Sequence, residues 1–332
     1  MVSLNLGFGK ICVVTPLSDV STDYLTAAQA CGLFDRSERG KLALTGAGAK
    51  AFLQGQVTND IEGLSDGAGC YAAFLTPKGK MLGDLRVLDA GSELLLDCER
   101  VALQELFNMI RRFSLGFEVE LHKRTLESGL LSLLGPDSDV VAGLSASSLP
   151  SVEHAHLPVT IARIDARAIR TDVGIDLLCE ADDTTSLCAA LVQAGAAEVS
   201  EAAVECLRIE HGRPRYGIDL DESVIPQEAG LNERAVSFTK GCYVGQETVA
   251  RLYYRGKPNR TLRGLRLSAP AIAGDRLRAG EREVGQITSV ACSPTFGSIA
   301  LGLVRREAPV GTTVSVGDSG TTAEVVELPF SG

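Results

Sequence analysis

Nine consecutive residues, Thr239-Lys240-Gly241-Cys242-Tyr243-Val244-Gly245-Gln246-Glu247, bring a cation, a thiol, two glycines and two polar side chains into one short stretch. In an extended backbone Lys240 and Cys242 project from the same face, about 7 Å apart. An ammonium at that range favours thiolate over thiol, so the chemistry on offer is that of an activated sulfur, with Cys242 working and Lys240 activating it. Gly241 and Gly245 allow positive φ or a close approach of backbone to ligand. The same residues also suit a buried cysteine between two turn glycines, and spacing alone leaves both readings open. Other matches carry less. Gly317-Asp318-Ser319-Gly320 looks like a protease nucleophile loop but lies between Val314/Val316 and Val325/Val326, where it reads as a hairpin turn. His154 and His156 read as solvated loop side chains without a metal-ligand partner.

The elements that must position these groups fall into three stretches. Lys41–Thr45 reads as a strand leading through Gly46-Ala47-Gly48 into a helix with Ala51, Phe52 and Leu53. Cys70–Leu75 and Met81–Leu88 flank the turn Thr76-Pro77-Lys78-Gly79, and Glu93–Asp97 follows as a strand. Leu103, Leu106, Phe107 and Ile110 mark one face of a helix, and Phe117–Leu121 a returning strand. Next come strands at Leu130–Leu134, Val159–Ile164 and Gly174–Cys179, a small-polar loop at Ser145–Ser151, and a helix with Leu187 and Leu191 that Asp182 or Asp183 can cap. A further helix follows Ser200. Beyond Pro258 only short strands and Gly- or Pro-rich turns remain, the pattern of a small all-β barrel or sandwich.

Composition limits the functional classes. The 332 residues carry a formal charge of −10, which disfavours general nucleic-acid or anionic-membrane binding. No stretch approaches the run of about 18 apolar residues that a transmembrane helix needs, and the N-terminus lacks a leader pattern. Nine scattered cysteines without a CxxC pair argue against a zinc or self-contained iron–sulfur ligand set. They read as reduced cytoplasmic thiols.

Lys240-Gly241-Cys242-Tyr243-Val244-Gly245-Gln246-Glu247 resembles the hallmark of the YgfZ-type folate-binding proteins, relatives of the glycine-cleavage T-protein. The resemblance extends to Gly32–Ser37, Phe52–Asp60, Lys78–Arg86, Arg208–Gly212, Tyr216–Asp219, Pro226–Glu228 and Gly285–Ser289. It implies an α+β fold: two mixed α/β units forming a folate-binding domain, and a C-terminal all-β barrel. The implied boundaries are residues 1–125 and 201–257 for a discontinuous folate domain, 126–200 for an inserted unit and 258–332 for the barrel. It implies tetrahydrofolate, or a one-carbon derivative, as cofactor. Glu210 aligns with a pterin-contacting Glu, and Asp84, Tyr243, Gln246 and Arg251 complete the implied pocket. The cations between Arg251 and Arg266 would suit an anionic folate tail.

The T-protein's hairpin carries paired aspartates; here Gly83 stands beside a single Asp84. That departure and the added Cys242 favour a folate-binding accessory protein that supports iron–sulfur cluster assembly or repair in client enzymes, including tRNA-modifying radical enzymes. Cys242, Lys240 and Asp84 would be its working residues. The alternatives are a folate-dependent aminomethyl- or methyltransferase acting through Asp84, and a pure folate-binding module.

Overall fold

A computed structural model describes residues 17–145 and 148–331. Cys12, the N-terminal stretch and residues 146–147 of the Ser145–Ser151 loop lie outside the described residues.

The first sheet has five strands in the order Gly69–Leu75, Met81–Asp89, Glu93–Cys98, Gly40–Thr45 and Glu120–Lys123. Its alternating apolar residues, among them Leu42, Leu44, Leu94 and Leu96, pack against the helices Ala49–Gln54 and Leu103–Phe113. The 3.6-residue stripe on the second helix behaves as its spacing requires, with Leu106 and Ile110 fully buried and Leu103 and Phe107 at their edges. The last strand starts later than Phe117. That ring packs edge-on against Phe52 at 5.4 Å, and pairing with Gly40–Thr45 begins only at Glu120.

The second sheet corrects two expectations. Its six strands run Ala197–Glu198, Gly32–Asp35, Ser128–Leu134, Gly174–Glu180, Ile164–Arg170 and His156–Ile161. Gly32–Asp35 therefore does not belong with the rest of residues 1–125. It pairs antiparallel with Ser128–Leu134 and parallel with Ala197–Glu198, so the middle unit borrows a strand from the start of the chain. The single strand read at Val159–Ile164 is instead a hairpin, turning at Ala162 and Arg163 with φ of 49° and 71°. No Gly, Asn or Asp marks that turn. The helix Thr184–Gln193 closes this unit through Leu187 and Leu191, and Asp183 at its start makes no side-chain capping bond.

The chain then returns to the first sheet: Leu220, Val224, Leu231, Val236, Tyr243 and Val249 bury against Ala73, Leu75 and Met81. The helix Glu201–Glu210 packs beside the N-terminal helix Leu17–Gln29 and against the C-terminal barrel. That barrel is closed, in the order Arg260–Leu267, Gly297–Arg305, Arg282–Ser293, Arg276–Ala279, Thr313–Val316 and Thr321–Val326. Gly317–Gly320 forms the turn of its last hairpin. Closure leaves no strand edge to pair with another chain.

Candidate functional site

Asp84 and Arg86 sit two residues apart on one strand, so both side chains leave the same face of the first sheet. They reach a cavity of about 200 Å³ walled on its other side by Ser132, Asp172 and Asp176 of the second unit and by Arg208 and His211 near the end of the helix Glu201–Glu210. Asp84 is 4% exposed and accepts a 2.6 Å hydrogen bond from Tyr71 Oη on the neighbouring strand. Burial pushes its carboxyl up to about 6, and the Tyr71 bond keeps it from rising further. Burial and the Asp84 charge together drive the Tyr71 phenol well above its ordinary range, while the Arg234 guanidinium lies 5.1 Å over the same ring.

A buried ion network braces this wall. Arg86 donates to Asp97 at 2.6 Å and to Asp176 at 2.5 Å, and Ser132 Oγ donates to the other Asp176 oxygen at 2.6 Å. Burial works against the charge on Asp97, yet Arg39 and Arg86 overcome it and hold that carboxylate well below the usual range. The two histidines read as solvated are in fact buried, at 7% and 2% exposure. His156 donates from Nε2 to Ala68 O and accepts from Arg167 at Nδ1. His154 lines the cavity with φ of 72° and no hydrogen-bond partner at Nδ1. Burial, aided by Arg86 and Arg234, pushes its imidazole down to about 3, so it is neutral. Arg234 Nε is likewise buried without a partner.

The motif that opens the sequence reading lies elsewhere. Lys240 Nζ donates to three backbone carbonyls, Gln54 O at 2.6 Å, Val57 O at 2.8 Å and Asn59 O at 2.7 Å. An ammonium has three N–H donors, so all are committed to this loop and none is left for the thiol. Burial pushes Lys240 down to about 8, and its charge acts on the partly buried Cys70. Cys242 is exposed. The extended Lys240–Cys242 pairing that the spacing offered is thus replaced by a lysine that staples the Gln54–Asn59 segment. Tyr243 is a core residue, 7% exposed, with the Lys240 ammonium 5.2 Å from its ring centre. Gln246 begins the helix Gln246–Arg255, and Arg251 is exposed on that helix. Gly245, with φ of 84°, starts it because a Cβ there would lie 2.6 Å from Thr76 O and 3.1 Å from Gly79 Cα. The motif is thereby seated on the Thr76–Gly79 turn, but neither Tyr243, Gln246 nor Arg251 lines the Asp84 cavity.

Glu210 also faces away. Tyr24 Oη donates to one of its oxygens at 3.0 Å, and Ser293 Oγ and the Cys206 thiol to the other. The end of the helix turns this side chain toward the barrel and the N-terminal helix, where it fastens both. In the basic run, Arg260 pairs with Glu228, Arg263 with Glu327, and Arg266 with Ser331 O, so these three cations serve the barrel and its junction.

Comparison with known proteins resolves the family. The GCVT N-terminal domain matches residues 17–240, and the glycine cleavage T-protein C-terminal barrel domain matches residues 260–331. The chain belongs to the glycine cleavage T-protein family. It is 31% identical to an aminomethyltransferase of Thermotoga petrophila, over 94% of this chain and 90% of that protein. It is 29% identical to an aminomethyltransferase of Rubrobacter xylanophilus, over 94% and 86%. The structure of the aminomethyltransferase T of Bartonella henselae is similar with a TM-score of 0.83 at 25% identity, covering 94% of this chain and 89% of that one. The α+β fold with its C-terminal barrel is therefore a T-protein-family fold. Among the described residues no helix is long and apolar enough to cross a membrane.

Of the site residues that the sequence reading proposed, only Asp84 lines this cavity, and His154, read as a solvated loop side chain, lines it too. Tyr71, Asp176 and Arg234 were missed. Their signal was the i, i+2 alternation on the strands, which puts Asp84 and Arg86 on one face and Tyr71 beside them. Only the packing of the second sheet beside the first brings Asp176 opposite, within reach of Arg86.

Proposed function

We propose that the cavity around Asp84 binds a reduced folate, and that the chain is a folate-binding accessory protein of the YgfZ type acting in the cytoplasm. The observation that carries the fit is a polar cavity with orphaned buried atoms, His154 Nδ1 and Arg234 Nε, beside the Tyr71 ring. Buried polar atoms without partners mark where a ligand's own donors and acceptors belong. A pterin is flat, with an N–H edge that one carboxylate can accept. Asp176 is the better acceptor than Glu210, because it faces the cavity and a carboxylate bonded to Ser132 and Arg86 still has lone pairs to offer. Bound reduced folate would supply a carrier for one-carbon units. This chain's contribution would be to hold the ring, exclude water and keep a proton on or near Asp84.

The departure at Gly83 supports an accessory role over transfer. Gly83 faces Phe74 in the ladder, and a Cβ there would lie 2.5 Å from Phe74 Cζ and 2.7 Å from Ala102 Cβ. The core packing at Gly83, on the opposite face of the strand from Asp84, has no room for a second aspartate. The exposed Cys242, on a motif seated against the same hairpin, supports a thiol that meets client proteins during iron–sulfur assembly or repair. The relatives' names favour the second reading, an aminomethyltransferase, as does an Asp84 carboxyl poised near 6 for proton transfer.

Calorimetric titration with 5-formyltetrahydrofolate tests the binding. Asp176→Ala is expected to weaken it by about 5–150-fold, the cost of 1–3 kcal/mol for an unpaired pterin edge, while Glu210→Ala leaves affinity unchanged and lowers stability. The reverse pattern would return the pterin role to Glu210. In a deletion strain, wild-type but not Cys242→Ala protein is expected to restore iron–sulfur enzyme activities. Full rescue by Cys242→Ala, with loss of rescue in Asp84→Asn, would favour the transferase.

A further inference from the structure

Seven arginines line the cavity: Arg36, Arg39, Arg86, Arg208, Arg213, Arg215 and Arg234. Six of them are paired with carboxylates. Arg39 holds Asp97 and Glu99, Arg86 holds Asp97 and Asp176, and Arg208 holds Glu205 and Asp219. Arg213 holds Asp172, Arg215 holds Glu99 and Glu205, and Arg234 holds Glu153. Among the described residues the Arg36 guanidinium makes no hydrogen bond and no ion pair; it only lies 5.6 Å over the Phe34 ring.

The position is rigid. Arg36 follows directly on the strand Gly32–Asp35, its N–H donates to Leu130 O at 2.8 Å, and its own carbonyl accepts from Arg39 N–H. The side chain is partly buried between this cavity and a neighbouring one beside Val204 and Glu205. The carboxylates whose charge reaches it, Asp176, Glu99 and Glu205, are each bonded to another arginine. Burial pushes the guanidinium down from its ordinary range, as expected of a cation whose lost hydration no single acid replaces. A planar fork of N–H donors, carried on an anchored backbone and left with its donors open, is a receptor for a planar anion. The seven carboxylates held by the other six arginines already balance the seven arginine charges, so the open guanidinium suits a monoanion, whereas a phosphate dianion would meet the flanking carboxylates.

We propose that Arg36 is the anchor of a carboxylate-binding subsite in the wall of the cavity. The subsite deepens the folate reading above, since the carboxylate can come from the folate's own glutamate tail or from a separate small organic acid that reacts beside it. The distinction is experimental. Arg36→Ala and Arg36→Lys, each checked for folding by thermal unfolding, are titrated in full-length protein with 5-formyltetrahydrofolate, with its tail-less pteroate analogue, with propionate and with inorganic phosphate.

If the folate tail is the source, Arg36→Ala weakens 5-formyltetrahydrofolate by about ten-fold or more and leaves the pteroate analogue unchanged. If a separate acid is the source, propionate binding seen by ligand-observed NMR is lost in Arg36→Ala and folate affinity is unchanged. In either case Arg36→Lys keeps only part of the effect, because it keeps the charge without the fork. Unchanged binding of every carboxylate in both variants overturns the proposal, as does Arg36-dependent binding of phosphate alone. Propionate binding through Arg36 in a protein that takes neither folate nor pteroate would leave this subsite standing and remove the folate reading.

Discussion

Two buried titratable side chains face the same cavity and bend the stability of the molecule with pH in opposite directions. Asp84 ionises near 6 in the folded chain and near 3.8 when unfolded. The folded state therefore holds the proton longer, and stability falls as pH rises through that interval. Asp84→Asn is expected to remove this slope and to stabilise the protein at pH 7 by on the order of 2–3 kcal/mol, measured by urea unfolding. His154 has the opposite sign. Its imidazole titrates near 3 folded and near 6.5 unfolded, so below pH 6.5 only the unfolded chain gains the proton and stability falls with acid. His154→Asn, chosen because asparagine tolerates positive φ, is expected to flatten the acid limb between pH 3 and 6.5. A limb that persists in the variant would place the acid sensitivity elsewhere. Asp84 was legible in the sequence because a strand fixes which side chains share a face. The burial of His154 was not, because nothing local shows that a loop passes beneath a second sheet.

At the scale of elements, the Thr76–Gly79 turn and the motif around Cys242 are held by fit, and two substitutions probe that fit. Gly83→Asp, which would restore an aspartate pair, is expected to cost about 1–3 kcal/mol or more through overpacking against Phe74 and to confer no transfer activity. A stable, active Gly83→Asp protein would reverse the reading of that position. Lys240→Met leaves three partly buried carbonyls without this donor and is expected to cost about 1–3 kcal/mol. Iodoacetamide labelling of the exposed Cys242 in the folded protein should keep its rate in that variant, and should run ahead of Cys98 and Cys206, whose thiols burial pushes far up. Helices and strands with strong periods, such as Leu103–Phe113 and Met81–Asp89, lie where their patterns put them. The hairpin at Ala162-Arg163 escaped detection because its apolar alternation continues through a turn that lacks turn residues. The direction of Lys240 escaped too, since its carbonyl partners lie more than 180 residues earlier.

The whole molecule is held together at a few buried acids that belong to no single unit. Asp219, with a fully buried carboxylate, accepts from Arg208 Nη1, Arg215 N, Thr288 Oγ1 and Ser289 Oγ, joining the returning segment to the helix Glu201–Glu210 and to the barrel. Asp219→Ala is expected to cost about 3–5 kcal/mol by leaving Arg208 partly uncompensated, and to make barrel and body unfold in separate calorimetric transitions; a single unshifted transition would show the junction to be dispensable. The strand Gly32–Asp35 carries a different consequence. Its partners are Ser128–Leu134 and Ala197–Glu198, so a segment made early in translation waits for about 160 more residues before its ladder is complete. The hairpin of Gly69–Leu75 with Met81–Asp89 closes locally, and long-range pairings form late. A ribosome-bound chain ending between these landmarks would hold one sheet assembled and the other gaping, its Leu33 and Leu133 uncovered, and that interval is when a chaperone would find this protein.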